Sequence, residues 1–192
     1  MSLLPTSNGV PYLPDGQDLP ETQRRPWPTW LRVLVFIACY LGMQAFYAQS
    51  GGTGVERFFL ETAGSRPAAA LIDLMQPALQ AKAVGTRVTA PGGGINIGNG
   101  CEGTDLYFLL GAAFAVVSLP WRARAAGFGL GLVLAFALNQ ARIVALFHAF
   151  RSDQALFDLL HTTVAPVLLV IALVLYFHAW LRHCRPARAA AA

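Results

Sequence analysis

Three side chains that could carry out covalent chemistry stand far apart in the chain, each beside a long apolar run. Cys101 lies in the run Gly98-Asn99-Gly100-Cys101-Glu102-Gly103, Arg142 follows an apolar stretch, and His161 opens another. A thiol and an imidazole suffice for nucleophilic acyl transfer, because the histidine takes the thiol proton and later protonates the leaving amine. A guanidinium can stabilise the intermediate oxyanion. The residue types therefore favour a cysteine acyl-transfer site, if the fold brings them together.

Two further polar residues are spaced to support this site. Asn139 lies three residues before Arg142, and Asp158 lies three residues before His161. Each pair therefore shares one helix face. In the second pair, Asp158 could orient the imidazole, or the two residues could simply form a local contact on the helix. The alternative for Arg142 is that its side chain snorkels to the lipid headgroups. An arginine within a span costs roughly 3 kcal/mol on insertion scales, which favours a buried position with a partner.

The residues around the cysteine indicate a backbone that a substrate could approach. Gly100 and Gly103 flank Cys101 closely and leave room for a peptide. A helix is predicted to begin directly afterwards, with a cap among residues 104–105, and its positive end would favour a thiolate. Glu102 has the opposite effect, because a neighbouring carboxylate disfavours a second negative charge. A loop cysteine without a role is the alternative interpretation of this position.

Membrane-spanning helices must position these residues. Of the 192 residues, 55% are hydrophobic and 12% are charged, whereas a soluble domain carries about 25% charged residues. Four apolar runs approach the roughly 17–20 residues that cross a bilayer, and the second is the shortest. They cover about 31–49, 104–119, 125–150 and 155–181. The sequence therefore predicts an all-α fold, a polytopic membrane bundle of about four transmembrane helices.

Arginines at the ends of these runs predict the orientation of the bundle. Basic residues close to span ends mark the cytoplasmic side. They precede the first run, separate the second from the third and follow the fourth: Arg24, Arg25, Arg32, Arg122, Arg124, Arg182, Arg185 and Arg188. We expect a multi-pass protein of a bacterial inner membrane with both termini in the cytoplasm. The segment between the first two spans then lies in the periplasm.

This topology predicts one depth for the three reactive residues. Arg142 lies 18 residues after Arg124, about 27 Å at 1.5 Å per residue, and so reaches the outer face. Cys101 precedes an inward-running span and His161 opens another. His178 lies 17 residues beyond His161, which is about 25 Å deeper in the membrane, so it cannot belong to the same site. We therefore expect a site that faces the periplasm.

The segment between the first two spans predicts a small periplasmic unit. Ser65 indicates a helix start, because proline follows early in the first turn, and Ala68–Gln80 has the pattern of an amphipathic helix. Residues 86–90 and 95–97 flank a Pro-Gly turn and predict a small hairpin. The predicted organisation is a disordered proline-rich cytoplasmic lead (1–29), a membrane catalytic domain (30–182) and a basic cytoplasmic tail (183–192).

The remaining cysteines and histidines predict neither a disulfide nor a metal site. Cys39 falls inside the first span and Cys184 in the tail, so neither shares a compartment with Cys101. His161 has no second ligand at metal-binding spacing, and His148 lies at the very end of its span. We therefore expect no metal or other cofactor. We also expect no nucleic acid partner, since no basic patch is interleaved with aromatic residues.

Three short motifs together resemble the exosortase/archaeosortase family. They are Gly100-Cys101-Glu102-Gly103, Asn139-Gln140-Ala141-Arg142-Ile143 and His161 at the start of the last span. The resemblance covers roughly residues 30–182 and is closest to short bacterial forms such as exosortase H or M. The chain departs from many members in having glutamate rather than serine after the cysteine, and four spans rather than about eight.

The resemblance implies a membrane cysteine transpeptidase or protease. Its substrates would be secreted proteins with C-terminal sorting-signal tails of the PEP-CTERM kind, cut at the outer face of the inner membrane and transferred to an acceptor. It implies Cys101 as nucleophile, with Arg142 and His161 completing the catalytic set. The partners would be these tails and membrane lipids.

Two other functions are compatible with the residues. A thiol oxidoreductase would need a second cysteine outside, and only Cys101 is predicted there. A non-catalytic membrane protein or assembly factor could instead use Asn139, Arg142, Asp158 and His161 to bind an anionic lipid or solute.

Overall fold

The computed structural model describes residues 27–184. The predicted lead up to residue 26 and tail from residue 185 lie outside them. The α-helices in chain order are α1 (Thr29–Ala48), α2 (Gly54–Arg57), α3 (Arg66–Met75), α4 (Thr104–Val116), α5 (Trp121–Ser152), α6 (Gln154–Leu159) and α7 (Ala165–Cys184). The π-helical segment Phe58–Ser65 joins α2 to α3, and Leu160–Val164 joins α6 to α7. The strands are β1 (Lys82–Val84), β2 (Arg87–Ala90) and β3 (Gly93–Asn96).

Three helices are long and apolar enough to cross a membrane: α1, α5 and the continuous helix Gln154–Cys184. The fold is therefore the predicted all-α, polytopic membrane bundle. Helix α4 is apolar but has 13 residues, about 20 Å at 1.5 Å per residue, against a hydrocarbon core of about 30 Å. Its crossing of the bilayer stays a prediction.

Helices α1, α4, α5 and the last helix (Gln154–Cys184) form an antiparallel bundle. Arg32 at the start of α1 donates to Ser118 just after α4, whereas Gln44 near the end of α1 donates to Asp105 at the start of α4. Each helix therefore runs against the next one along the chain, and α5 runs against α7 in the same way. We call the end that carries Cys101 the cysteine end, and the opposite end, which carries Trp180, the tryptophan end.

A small unit formed by residues 54–97 packs on the cysteine-end half of α5. Its core contains residues of α3, the sheet, the position just after β3, and α5 that are at most 1% exposed: Ile72, Val88, Ile97, Ile143 and Phe147. Gln140 also donates from α5 to the carbonyl of Ala63, at 2.7 Å. Burial of such side chains contributes about 1.5–3 kcal/mol each, so this half of α5 is held by a packed core.

The structure confirms the hairpin and extends it. β2 and β3 pair antiparallel, with Val88 opposite Ile95, and β1 pairs with the other edge of β2 to form a three-stranded sheet. β1 has three residues, which is too short for an alternating pattern to identify.

One predicted helix start and one predicted helix cap differ from the structure. The helix that contains α3 begins at Gly54 rather than Ser65, and the hydroxyl of Ser65 donates to the carbonyl of Gly85 at 2.6 Å. Ser65 therefore connects the helix to the sheet, although in the sequence a serine just before a proline has the pattern of a helix cap. The cap of α4 is Gly103 rather than residues 104–105, because a positive φ of 85° ends the preceding turn there.

Candidate active site

The loop that carries the cysteine is a tight turn. The N–H of Cys101 donates to the carbonyl of Gly98 at 2.9 Å. Gly100 and Gly103 have φ angles of 93° and 85°, in the left-handed region that a side chain disfavours. The two glycines therefore set the course of the backbone on both sides of the thiol.

Asn139 of α5 anchors this loop from below. Its side chain is fully buried and donates to the carbonyl of Cys101 at 3.3 Å. A Cβ at Gly103 would lie 2.7 Å from Cγ of Asn139, closer than side chains approach. Gly103 is thus required both by its φ angle and by its contact with Asn139.

The structure brings Cys101, His161 and Arg142 together. The Sγ of Cys101 lies 3.5 Å from Nδ1 and 3.9 Å from Nε2 of His161, and 3.9 Å from Nη2 of Arg142. Arg142 also donates through Nη1 to the carbonyl of Gly100, at 3.2 Å. A thiol thus lies between a base and a fixed cation.

The imidazole is positioned by its own helix. His161 lies in the π-helical segment Leu160–Val164, a type of irregularity that is frequent at functional sites. Its ring stacks on that of Phe157, with centroids 5.4 Å apart and planes at 4°. Sequence reasoning did not identify Phe157, although a spacing of four residues on a helix is a signal for such a contact.

Asp158 occupies a different position from the one that its spacing predicted. Its side chain is exposed, and its carboxylate accepts a hydrogen bond from Gln154 at 3.4 Å. The hydrogen-bond partner of Asp158 is therefore Gln154 on the same helix rather than His161. Stacking on Phe157 takes the orienting part that was predicted for Asp158.

Glu102 lies beneath the loop. Its side chain is 1% exposed, and Oε1 accepts a hydrogen bond from the hydroxyl of Thr104 at 2.9 Å. Burial raises the pKa of the Cys101 thiol above its usual value, Arg142 counteracts this, and Glu102 adds to it. A thiol whose pKa is raised in this way needs a base before it can act as a nucleophile.

The thiol opens into a cavity of about 580 Å³ among α1, α4, α5 and the last helix. Its wall includes Tyr40 and Asp105. Gln44 donates to both, with a distance of 3.0 Å to the hydroxyl of Tyr40. Sequence reasoning missed this polar group, although a glutamine inside an apolar span is itself a signal of function.

A family model described as transmembrane exosortase matches residues 23–178. The chain belongs to the exosortase family. No curated protein matches the chain, and no solved structure does. The match covers all three residues at the cavity, and the resemblance seen in the motifs is thereby confirmed at the level of the family.

The other cysteines and histidines of this exosortase lie away from the cavity. Cys39 is in α1 and Cys184 ends α7, and both are free thiols. His148 is on α5 beside Phe147, and His178 is exposed on α7. Among residues 27–184, which the structure describes, the thiol of Cys101 is therefore the one that has an imidazole and a guanidinium within 4 Å.

Proposed function

We propose that this protein is a membrane cysteine transpeptidase that cuts C-terminal sorting-signal tails of the PEP-CTERM kind from secreted proteins and transfers the product to an acceptor. The observation that carries the proposal is the distance of 3.5 Å between the Cys101 sulfur and the His161 imidazole, with Arg142 beside them. Family membership supports the same class of reaction.

Acylation begins with proton transfer from the thiol of Cys101 to His161. The sulfur attacks a backbone carbonyl carbon of the substrate and forms a C–S bond, while the carbonyl oxygen becomes an oxyanion. The guanidinium of Arg142 stabilises that charge. The C–N bond then breaks, His161 returns its proton to the leaving nitrogen, and the tail departs with a new amino terminus.

The thioester is resolved by a second nucleophile. An amine or a water molecule attacks the acyl carbon and gives up a proton to His161, and the C–S bond breaks. The product is an amide or a carboxylic acid, and the thiolate regains its proton from the imidazole. The cavity of about 580 Å³ is within the range of about 300–1,000 Å³ that is typical of ligand sites.

The proposed site faces the periplasm. Arg122, Arg124 and Arg182 lie at the tryptophan end, opposite Cys101, and basic residues favour the cytoplasmic side. A secreted substrate still tethered by its own hydrophobic tail would present its signal at the height of Cys101.

The test is co-expression with a secreted protein whose C-terminus carries a signal motif, a hydrophobic span and a basic cluster. We expect Cys101→Ala to leave the tail attached, as a mass shift of the substrate, while Cys39→Ala and Cys184→Ala process it normally. Normal processing by Cys101→Ala would refute the proposal and favour a binding or assembly role.

A further inference from the structure

An apolar groove leads from the catalytic cavity along one side of α4. The cavity ends at Leu106 on α4 and at Leu169 and Val170 on α7. A second cavity of about 170 Å³ continues one turn further along the same helices. Its lining residues are Phe36, Leu109, Leu110, Ala113, Leu173, Val174 and Phe177. The two cavities thus follow one another from the thiol towards the tryptophan end.

The groove is open to the lipid. Its walls are α1 and α7. The share of buried residues in the hydrophobic stretch is 6% for α1 and 11% for the helix that contains α7, compared with 39% for α5. Its floor is α4, which both walls contact. From Leu106 to Ala113 the floor is seven residues long, about 10 Å or two helical turns. The wall residues Val170 and Val174 are exposed, so a helix in the membrane could pack against the groove from the side.

We propose that this groove binds the hydrophobic C-terminal helix of the substrate during cleavage, an inference that rests on the proposed function. The substrate bond that Cys101 attacks is followed by a hydrophobic tail, which must continue into the bilayer. The groove begins where the cavity beside Cys101 ends, so it lies in the direction that this tail would take. The lining of the second cavity contains no charged side chain, which suits an apolar tail.

The composition of the groove suits helix packing in lipid. Helices associate there by close van der Waals contact, for which a small residue at the interface is favourable. Ala113 is such a small residue on the floor of the groove, and Phe36 and Phe177 line its walls. A tail that enters from the periplasm runs parallel to α4 and α7, so its first two turns would lie against residues 106–113 and 169–177.

Filling the groove tests the proposal. Ala113→Phe places a ring on the floor, whereas Ala115→Phe adds the same ring to an exposed position of the same helix. Each variant is given a tailed substrate in liposomes and a peptide that ends just beyond the scissile bond. We expect the ratio of kcat/KM for tailed over tail-less substrate to fall roughly tenfold or more in Ala113→Phe, as the overpacked contact is lost, and to stay unchanged in Ala115→Phe.

An equal ratio in the two variants would overturn the groove while leaving cleavage intact, which separates this failure from that of the proposed function. If the wild type cuts neither substrate, crosslinking decides. A photoreactive residue at Val174, in the Cys101→Ala background, should crosslink to the tail, whereas one at Leu175, which is exposed and does not line the groove, should not. Crosslinking at neither position, or at both equally, would overturn the proposal.

Discussion

The two ends of the bundle use the same kind of hydrogen bond to different effect. At the tryptophan end, Tyr176 donates to the carbonyl of Gly127, and Trp180 donates to the carbonyl of Ala123 at 3.2 Å. At the cysteine end, Asn139 and Arg142 donate to the carbonyls of the cysteine loop. The rings of Tyr176 and Trp180 fill the space between α5 and α7. The side chains of Asn139 and Arg142 instead leave a cavity open beside the thiol.

Glycine residues also have different roles at the two ends of the bundle. A Cβ at Gly127 would lie 2.2 Å from the indole nitrogen of Trp180, so glycine there serves close packing between α5 and α7. Gly103 instead permits a loop conformation that supports the reactive residue. One end of the bundle is therefore built for stability, and the other is built to hold a reactive group beside empty space. Substitutions at the two ends should separate stability from activity.

The largest effect is expected at the cysteine end, on activity. His161→Ala removes the proposed base next to a thiol whose pKa burial raises, and general base catalysis contributes roughly 10²–10⁴-fold. We expect a loss of kcat of that order with little change in the midpoint of thermal unfolding in detergent. The measurements are single-turnover cleavage of a tailed substrate and a melting curve.

His178→Ala is the matched control, because His178 is an exposed histidine on the same long helix. It should change neither quantity. A similar loss of activity in both variants would mean that His161 contributes through helix structure, and the contrast between the two ends would then be lost.

The position of the candidate site along the membrane normal could be predicted from sequence alone, because it depends on the depth of each residue within its span. Antiparallel spans with a fixed rise per residue convert residue numbers into heights, so Cys101, Arg142 and His161 could be assigned to one level. The hydropathy of the spans is equally readable, and their bounds in the structure differ from the predicted ones by a few residues.

The rest depends on single-residue register and on contacts between distant segments. Asp158 pairs with Gln154, whereas His161, in the π-helical turn Leu160–Val164, stacks on Phe157. No composition signal marks such a turn. The pairing of Gln44 with Asp105 joins residues 61 positions apart. Both features arise from tertiary packing, which outweighs local preference.

A smaller effect is expected at the tryptophan end, on stability. Gly127→Ala drives a methyl group into Trp180, and overpacking of this kind typically costs about 1–3 kcal/mol. We expect a lower unfolding midpoint, measured by titration with a denaturing detergent, and unchanged activity per folded molecule. Gly129→Ala is the control two residues away, since a Cβ there meets no atom within 4 Å. Equal stability of the two variants would contradict the packing role assigned to Gly127.

The smallest effect is a shift in the ionisation of the thiol, and it tests how the cysteine end balances its charges. Burial raises the pKa of Cys101, Arg142 lowers it and Glu102 raises it. Glu102→Gln removes a negative charge that disfavours the thiolate, so it should lower the pKa. Arg142→Gln removes a positive charge that favours the thiolate, so it should raise it.

The measurement is the pH dependence of alkylation by neutral iodoacetamide, in a background where Cys39 and Cys184 are replaced by alanine. The midpoint for wild-type Cys101 should lie above that of a free cysteine, and the two variants should move it in opposite directions. A midpoint that rises in Glu102→Gln would show that the carboxyl supports the thiolate by another route. Shifts of opposite sign, with the wild-type midpoint above that of a free cysteine, would instead show that Arg142 favours the thiolate, that Glu102 disfavours it, and that burial outweighs the effect of Arg142.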